Sequence, residues 1–129
     1  IGHGCVYSIG TVILQACKRR YLMPNCSFMI HYGSLSLDCS YKIADDTLDY
    51  YRKQADAMVN IYYQKCKFGQ HFLEWPEKEI KSFLKTNLAK DWYMSSYDAV
   101  YYGFADEVLT ERKYRNVRQI NKRNRRVAE

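Results

Sequence analysis

The sequence predicts an α/β domain. Short apolar segments of strand character alternate with segments whose apolar residues recur at helical spacing, and the connections between them are short. Glycine and proline are scarce, at 6 and 2 of 129 residues, and apolar content is ordinary at 47%, which argues for a packed chain rather than a disordered one. The length suits one domain with one core.

In chain order, Gly4–Gly10 (GCVYSIG) reads as a strand and a tight turn, and Thr11–Cys17 as a helix ending in the basic cluster Lys18, Arg19, Arg20. Arg20–Met23 is a short strand, Pro24-Asn25 a turn, and Cys26–Tyr32 a strand of β-compatible residues with His31 near its C-terminal end. Residues 34–42 are expected as an extended edge segment. Asp45 or Asp46 is expected to cap a long helix reaching Cys66, with a stripe of Leu48, Tyr51, Ala55, Met58 or Val59, and Tyr62. Pro76 at a first helical position, with Glu77 and Glu79 behind it, opens a helix to about Leu84. Asp91–Met94 is extended, Ser95 and Asp98 have capping-box spacing before a helix over 96–102, Gly103 ends it, and Phe104–Leu109 is a last strand.

The net charge of +6 is local. Residues 1–110 hold 12 Lys/Arg and 12 Asp/Glu, whereas residues 111–129 hold 8 Lys/Arg and 2 Glu, and 8 − 2 accounts for the whole excess. The division expected is a domain over 1–110 and a basic C-terminal tail over 111–129, the tail solvated and nucleic acid not a partner. The five cysteines (Cys5, Cys17, Cys26, Cys39, Cys66) are odd in number and have no zinc-like spacing, so they read as reduced thiols in a cytoplasmic protein. The apolar run 11–17 is too short to cross a bilayer and has its basic cluster on the wrong side for a signal peptide, so no membrane role is expected.

Acyl-transfer chemistry on a hydroxyl needs a base for its proton and N–H donors for the oxyanion. Ser8 sits at a strand-to-helix turn, where the N–H of Ile9 and the helix N-terminus would face a developing negative charge. Alone, this pattern is common, and an ordinary N-cap serine is the bland reading. His31 alone reads as a core histidine and Asp91 as the start of a turn. His3 and His71 read as surface residues, and Cys66 with His71 would leave a metal site short of ligands.

Three segments taken in order change the balance. Gly4–Gly10, Leu22–His31 (LMPNCSFMIH) and Asp91–Asp106 (DWYMSSYDAVYYGFAD) resemble the nucleophile, "L-P-N-x-x-x-M-I-H" and "D-R-x-x-[ST]-A-x-E-A-x-x-Y-G-[LI]-x-D" segments of the Clp protease (ClpP-like) family, at near-family spacing. The resemblance covers roughly residues 4–110, with a weak middle. It implies an incomplete ClpP/crotonase-like fold with residues 46–66 as its long handle helix. It also implies Ser8 as nucleophile, His31 as general base and acid, Asp91 as the carboxylate that orients it, and Ile9 N–H as one oxyanion donor. The stretch Tyr32–Tyr41, beginning with Tyr32, Gly33, Ser34 and Leu35, would border the groove where a peptide adds as a β-strand.

By the same resemblance, the function implied is a serine endopeptidase that cleaves unfolded or scaffold polypeptides through an acyl-enzyme inside an oligomeric chamber of one or two stacked rings. An ATP-dependent unfoldase is the implied partner, and no metal or organic cofactor is needed. Tyr7 replaces a small residue before the nucleophile, Trp92 replaces an Arg that commonly follows the Asp, and Gly33–Asp38 replaces a glycine-rich turn; divergence of this kind looks like that of a bacteriophage member. The family carries a further half-domain before the nucleophile with a second oxyanion N–H. With Ser8 so near Ile1, this half is expected on a separate chain or in sequence not included here. The competing readings are a non-catalytic structural subunit of a ring or shell, against which the intact triad argues, an acyl-CoA enzyme of the crotonase type, and a nucleic-acid binder acting through the basic tail.

Overall fold

The computed structural model describes residues 1–110 and 116–126. It is a mixed α/β arrangement of two small sheets, five α-helices and one short 3-10 helix (Gln70–Phe72) among the described residues. Strands β1 (Cys5–Tyr7), β3 (Ser27–Ile30) and β4 (Trp92–Ser95) form one sheet in the order β1-β3-β4. β1 runs parallel to β3, and β4 antiparallel to it. β2 (Tyr21–Leu22) and β5 (Glu107–Val108) form a separate parallel pair. The chain before β1 joins the two sheets: Gly2 bridges Leu22, and after Gly4 turns at φ +68° the chain pairs with β3 instead.

One face of the larger sheet builds the core. Phe28 and Ile30 alternate toward it and are fully buried with Leu22, Tyr62, Cys66, Phe72, Ile80, Leu84 and Phe104. The long helix α2 (Tyr41–Cys66) contributes Val59, Tyr62 and Cys66, spaced three and four residues apart. Burial pushes the Cys66 thiol and the Tyr62 hydroxyl up to about 12. Helix α3 (Glu77–Leu88) buries Ile80, Leu84 and Leu88, every fourth residue.

Several boundaries differ from those expected. α2 starts at Tyr41, with Ser40 at the N-cap position but making no side-chain cap bond, and Asp45 and Asp46 lie inside it. No Gly or Pro stands between Gly33 and Gly69, so nothing stops the helix before a preferred N-cap residue type. Its predicted stripe packs only at the C-terminal end: no residue from 41 to 58 is buried, and Leu48 and Tyr51 are 39% and 49% exposed. Residues 31–40 form no strand. Pro76 is the N-cap of α3 rather than its first residue, and α3 runs one turn further than expected, to Leu88. The last strand shrinks to Glu107–Val108, because Phe104 and Ala105 serve the core from a turn.

Helix α4 (Ser96–Tyr101) has the expected capping box: Asp98 N–H donates to Ser95 Oγ, and Ser95 N–H donates to Asp98 Oδ2. It ends in a Schellman motif at Gly103 (φ +80°), with Phe104 N–H donating to Ala99 O and Gly103 N–H to Val100 O. Gly69, after α2, lies against this turn so closely that a Cβ there would stand 2.5 Å from the Tyr102 carbonyl carbon and 2.6 Å from Gly103 N. Gly69→Ala should therefore destabilise by about 3 kcal/mol, since backbone on both sides must move. A urea titration of the two proteins measures this.

The basic segment is not wholly a solvated tail. Residues 111–115 and 127–129 of it lie outside the described residues, but Val117–Arg126 form helix α5, whose Ile120 is buried against Tyr21 and Leu109. His71, expected at the surface, is packed among Phe72, Trp75, Phe83, Tyr101 and Tyr102 at centroid distances of 4.8–5.5 Å. A lone His in a run of polar and apolar residues gave no sign of this, because its aromatic neighbours come from three separate segments. All five cysteines are free thiols. No helix among the described residues is long and apolar enough to cross a membrane.

Candidate active site

Strand register brings the candidate residues together. In the antiparallel β3/β4 ladder Ile30 faces Trp92, so the next step of the same register places His31 opposite Asp91. In the parallel β1/β3 ladder Tyr7 is paired with Met29, and Ser8 N–H donates to Met29 O at 2.8 Å, which brings the end of β1 beside the end of β3. Residues 8, 31 and 91 thus meet at one end of the sheet. By strand alternation His31 and Asp91 stand on the face opposite Phe28 and Ile30, away from the core.

Ser8 has φ +50° and ψ −120°, the one positive φ outside glycine among the described residues. For a residue with a Cβ this conformation is strained. It turns the chain sharply from β1 into α1 (Ile9–Gln15) and projects the side chain outward, as a nucleophile turn does. Ser8 occupies the N-cap position of α1, but its side chain makes no cap bond. The hydroxyl instead meets His31: Ser8 Oγ is 2.9 Å from Nε2, and Nδ1 is 2.7 Å from Asp91 Oδ1. An Nδ1–H donated to the carboxylate leaves Nε2 with its lone pair toward Ser8 Oγ–H. The His31 side chain is 24% exposed and that of Asp91 57%, so the end of the relay is open to solvent.

The turn is held from beneath. Ser8 O accepts from Thr11 N–H at 2.9 Å and from Thr11 Oγ1–H at 2.6 Å. With its proton spent there, Thr11 Oγ1 accepts from the Tyr62 hydroxyl of α2 at 2.5 Å. Gln15 Nε2 donates to Thr11 O and Phe104 O, and Gln15 Oε1 accepts from Arg20, which pairs with Asp106. Arg20, read in the sequence both as the end of a basic cluster and as the start of a short strand, is 5% exposed. The one sequence signal that separates it from Lys18 and Arg19 is its place at the head of an apolar strand. Thr11→Val should leave the Tyr62 hydroxyl buried without its partner, at a cost of about 1–3 kcal/mol, and loosen the Ser8 turn. Thermal melts of Thr11→Val and Tyr62→Phe, the second removing the orphaned group as well, separate the two effects.

Ile9 is the first residue of α1, so its N–H has no acceptor within the helix and is available beside Ser8 Oγ. Tyr7 lies across the outer face of the sheet, donating to Ser27 Oγ at 3.0 Å and meeting the Tyr93 ring edge-on at 5.7 Å. Met29, between them in register, is 6% exposed although it faces away from the core. Trp92 turns inward to Phe83, Tyr102 and Phe104 and anchors the start of β4 next to Asp91. Tyr32 N–H donates to Leu88 O, which ties the chain after His31 to the end of α3.

The four residues expected to border the substrate, Tyr32, Gly33, Ser34 and Leu35, line a cleft of about 400 Å³ whose opposite wall is Tyr50, Tyr51, Gln54, Ala55 and Met58 of α2. The wall supplied by α2 was not apparent from the sequence, where Tyr51, Ala55 and Met58 read only as members of an apolar stripe. Burial, with the Asp56 carboxylate second, pushes the Tyr32 hydroxyl up, so it stays protonated and able to donate. No group of three or more His, Cys, Asp or Glu capable of holding a metal occurs among the described residues.

The protein-family model described as Clp protease matches residues 1–112. The chain belongs to the Clp protease family. It is 27% identical over 110 residues to the ATP-dependent Clp protease proteolytic subunit of Deinococcus radiodurans, an alignment covering 84% of this chain and 48% of that protein. The chain therefore spans about half the length of the curated relative it matches. As a Clp protease family member it carries Ser8, His31 and Asp91 and the whole of α2 inside the matched region, and α5 beyond it.

Proposed function

We propose that this chain forms the catalytic part of a serine endopeptidase, with Ser8 as nucleophile, His31 as base and acid, and Asp91 as the orienting carboxylate. The observation that carries this reading is the continuous hydrogen-bonded relay Ser8–His31–Asp91, built on a turn that holds Ser8 at a strained positive φ. His31 Nε2 takes the Ser8 hydroxyl proton as Oγ bonds to the scissile carbonyl carbon. The oxyanion that forms accepts from Ile9 N–H. The imidazolium, held by Asp91, then gives its proton to the leaving amine, which leaves a peptidyl ester on Ser8. Water, deprotonated by the same nitrogen, releases the peptide acid and restores Ser8.

Peptide substrates would lie along Tyr32–Leu35, with one side chain in the cleft against α2. In this reading the fold is of the ClpP/crotonase type, with residues 1–110 as the peptidase portion and 111–129 as a basic appendage. The exposed Tyr41, Ile43 and Leu48 on α2 give that helix reason to pack against other subunits, and so to enclose a chamber served by an ATP-driven unfoldase. Free thiols at all five cysteines suit a cytoplasmic setting.

The test is digestion by the native assembly of one polypeptide in folded and permanently unfolded forms, read by mass spectrometry. Short peptides from the unfolded form alone are expected. An unfolded form that survives intact, under conditions where the assembly is folded, overturns the proposed activity.

A further inference from the structure

Helix α5 carries what remains after the core and the candidate active site are accounted for. Asn116 caps it, accepting from Gln119 N–H through Oδ1 at 3.2 Å, and Ile120 fastens it to Tyr21 and Leu109. Arg118, Lys122 and Arg125 follow one another four and three residues apart, so they share one exposed stripe about 10 Å long. Four cations elsewhere have an acidic partner, in Arg20–Asp106, Lys53–Asp49, Lys81–Glu77 and Lys85–Asp56. Helix α5 has no acidic residue, and none of these three cations is ion-paired among the described residues.

We infer that this stripe of α5 is a docking surface for the phosphate backbone of duplex nucleic acid. The sequence alone suggests a solvated tail, but a solvated tail does not bury an isoleucine. Anchoring at Ile120 fixes the helix and pre-orients its cations, which lowers the ordering cost of binding a regular line of charges. A duplex offers such a line, with one negative charge per about 1.7 Å of its axis, and the guanidinium groups of Arg118 and Arg125 suit phosphate geometry.

The other surfaces of the helix disfavour other anionic partners. An anionic membrane needs an apolar face free to insert, but Ile120 is already buried and Val117 is the exposed apolar residue of the described part. A stable protein interface needs an aromatic or aliphatic anchor, whereas beside the cations stands the exposed amide of Asn121, a group that bonds readily to phosphate and sugar oxygens. The helix lies outside the Clp protease match, and this inference does not rest on the proposed peptidase activity.

The probe is a fluorescein-labelled DNA duplex of mixed sequence, its binding to the whole protein followed by anisotropy from 50 to 200 mM salt. The variant Arg118→Gln/Lys122→Gln/Arg125→Gln should bind more weakly, and its slope of log affinity against log salt should be shallower by about 2.7. That difference corresponds to about 40-fold in affinity lost across this salt range. Arg118→Lys/Arg125→Lys should keep the wild-type slope, which separates loss of charge from damage to the helix. Four results overturn the assignment: no binding at 50 mM salt, an unchanged slope in the triple Gln variant, polyglutamate of matched charge displacing the duplex as well as unlabelled DNA does, or phosphatidylserine vesicles retaining the protein as tightly as DNA.

Discussion

Ser8→Ala is expected to lower peptide hydrolysis on the order of 10⁶-fold in kcat with little change in KM, a loss of about 8 kcal/mol of transition-state stabilisation. The size follows from what the substitution removes. Without Oγ no acyl-enzyme forms, and His31 and Asp91 have no proton to move, so the relay is lost as a unit. The Ile9 N–H and the groove remain, and they sustain the residual rate. The fold should not suffer, because the bonds that hold the turn run through the Ser8 backbone: N–H to Met29 O, and O from Thr11. Ser8→Gly gives a companion result. Glycine accepts φ +50° without strain, so this variant should be equally inactive yet more stable, by about 1 kcal/mol. Steady-state kinetics with a fluorogenic peptide, beside thermal melts, read both outcomes.

Asp91→Asn should cost about 10⁴-fold in kcat while leaving stability within about 0.5 kcal/mol of the parent. The carboxylate accepts a hydrogen bond from Nδ1–H and so keeps the Nε2 lone pair toward Ser8. An amide turned to donate its N–H₂ makes Nδ1 the acceptor, and the ring proton then sits on Nε2, where it points at the nucleophile instead of receiving its proton. Because the Asp91 side chain is 57% exposed, no buried packing is lost. A stability change much larger than this would make Asp91 a structural residue. A loss of less than tenfold in kcat would remove it from the relay.

The local devices were legible in the sequence: the strand-to-helix turn at Ser8, the Ser95/Asp98 capping box and the Gly103 stop. Each depends on residues a few positions apart, and each formed where expected. The order of Ser8, His31 and Asp91 was legible only through long segments, because their meeting is set by pairing between β1, β3 and β4. That β4 runs antiparallel to β3 while β2 leaves to pair with β5 was not legible, since strands of two to four residues carry no register signal of their own.

Where the α2 stripe meets the core of this chain was not legible for a related reason. Its apolar periodicity continues past the last core contact, so the same stripe is core at Val59 and Tyr62 and open surface at Leu48 and Tyr51. The environments of His71 and Arg20 are tertiary as well: one is made by rings from the turn after α2, α3 and α4, the other by Gln15, Gly103 and Asp106. In α5 a single isoleucine among ten mostly basic and amide residues decides packing, which no composition-based reading of the segment would single out.

The most direct measurement is reaction of the native protein with a fluorophosphonate, read as intact mass and then by peptide mapping. An activated serine should take up one phosphonyl group per chain, on Ser8, with no label in Ser8→Ala and slow labelling in His31→Ala. A folded native assembly that stays unlabelled, or carries its label on another residue, contradicts the assignment of Ser8, His31 and Asp91 as a catalytic triad.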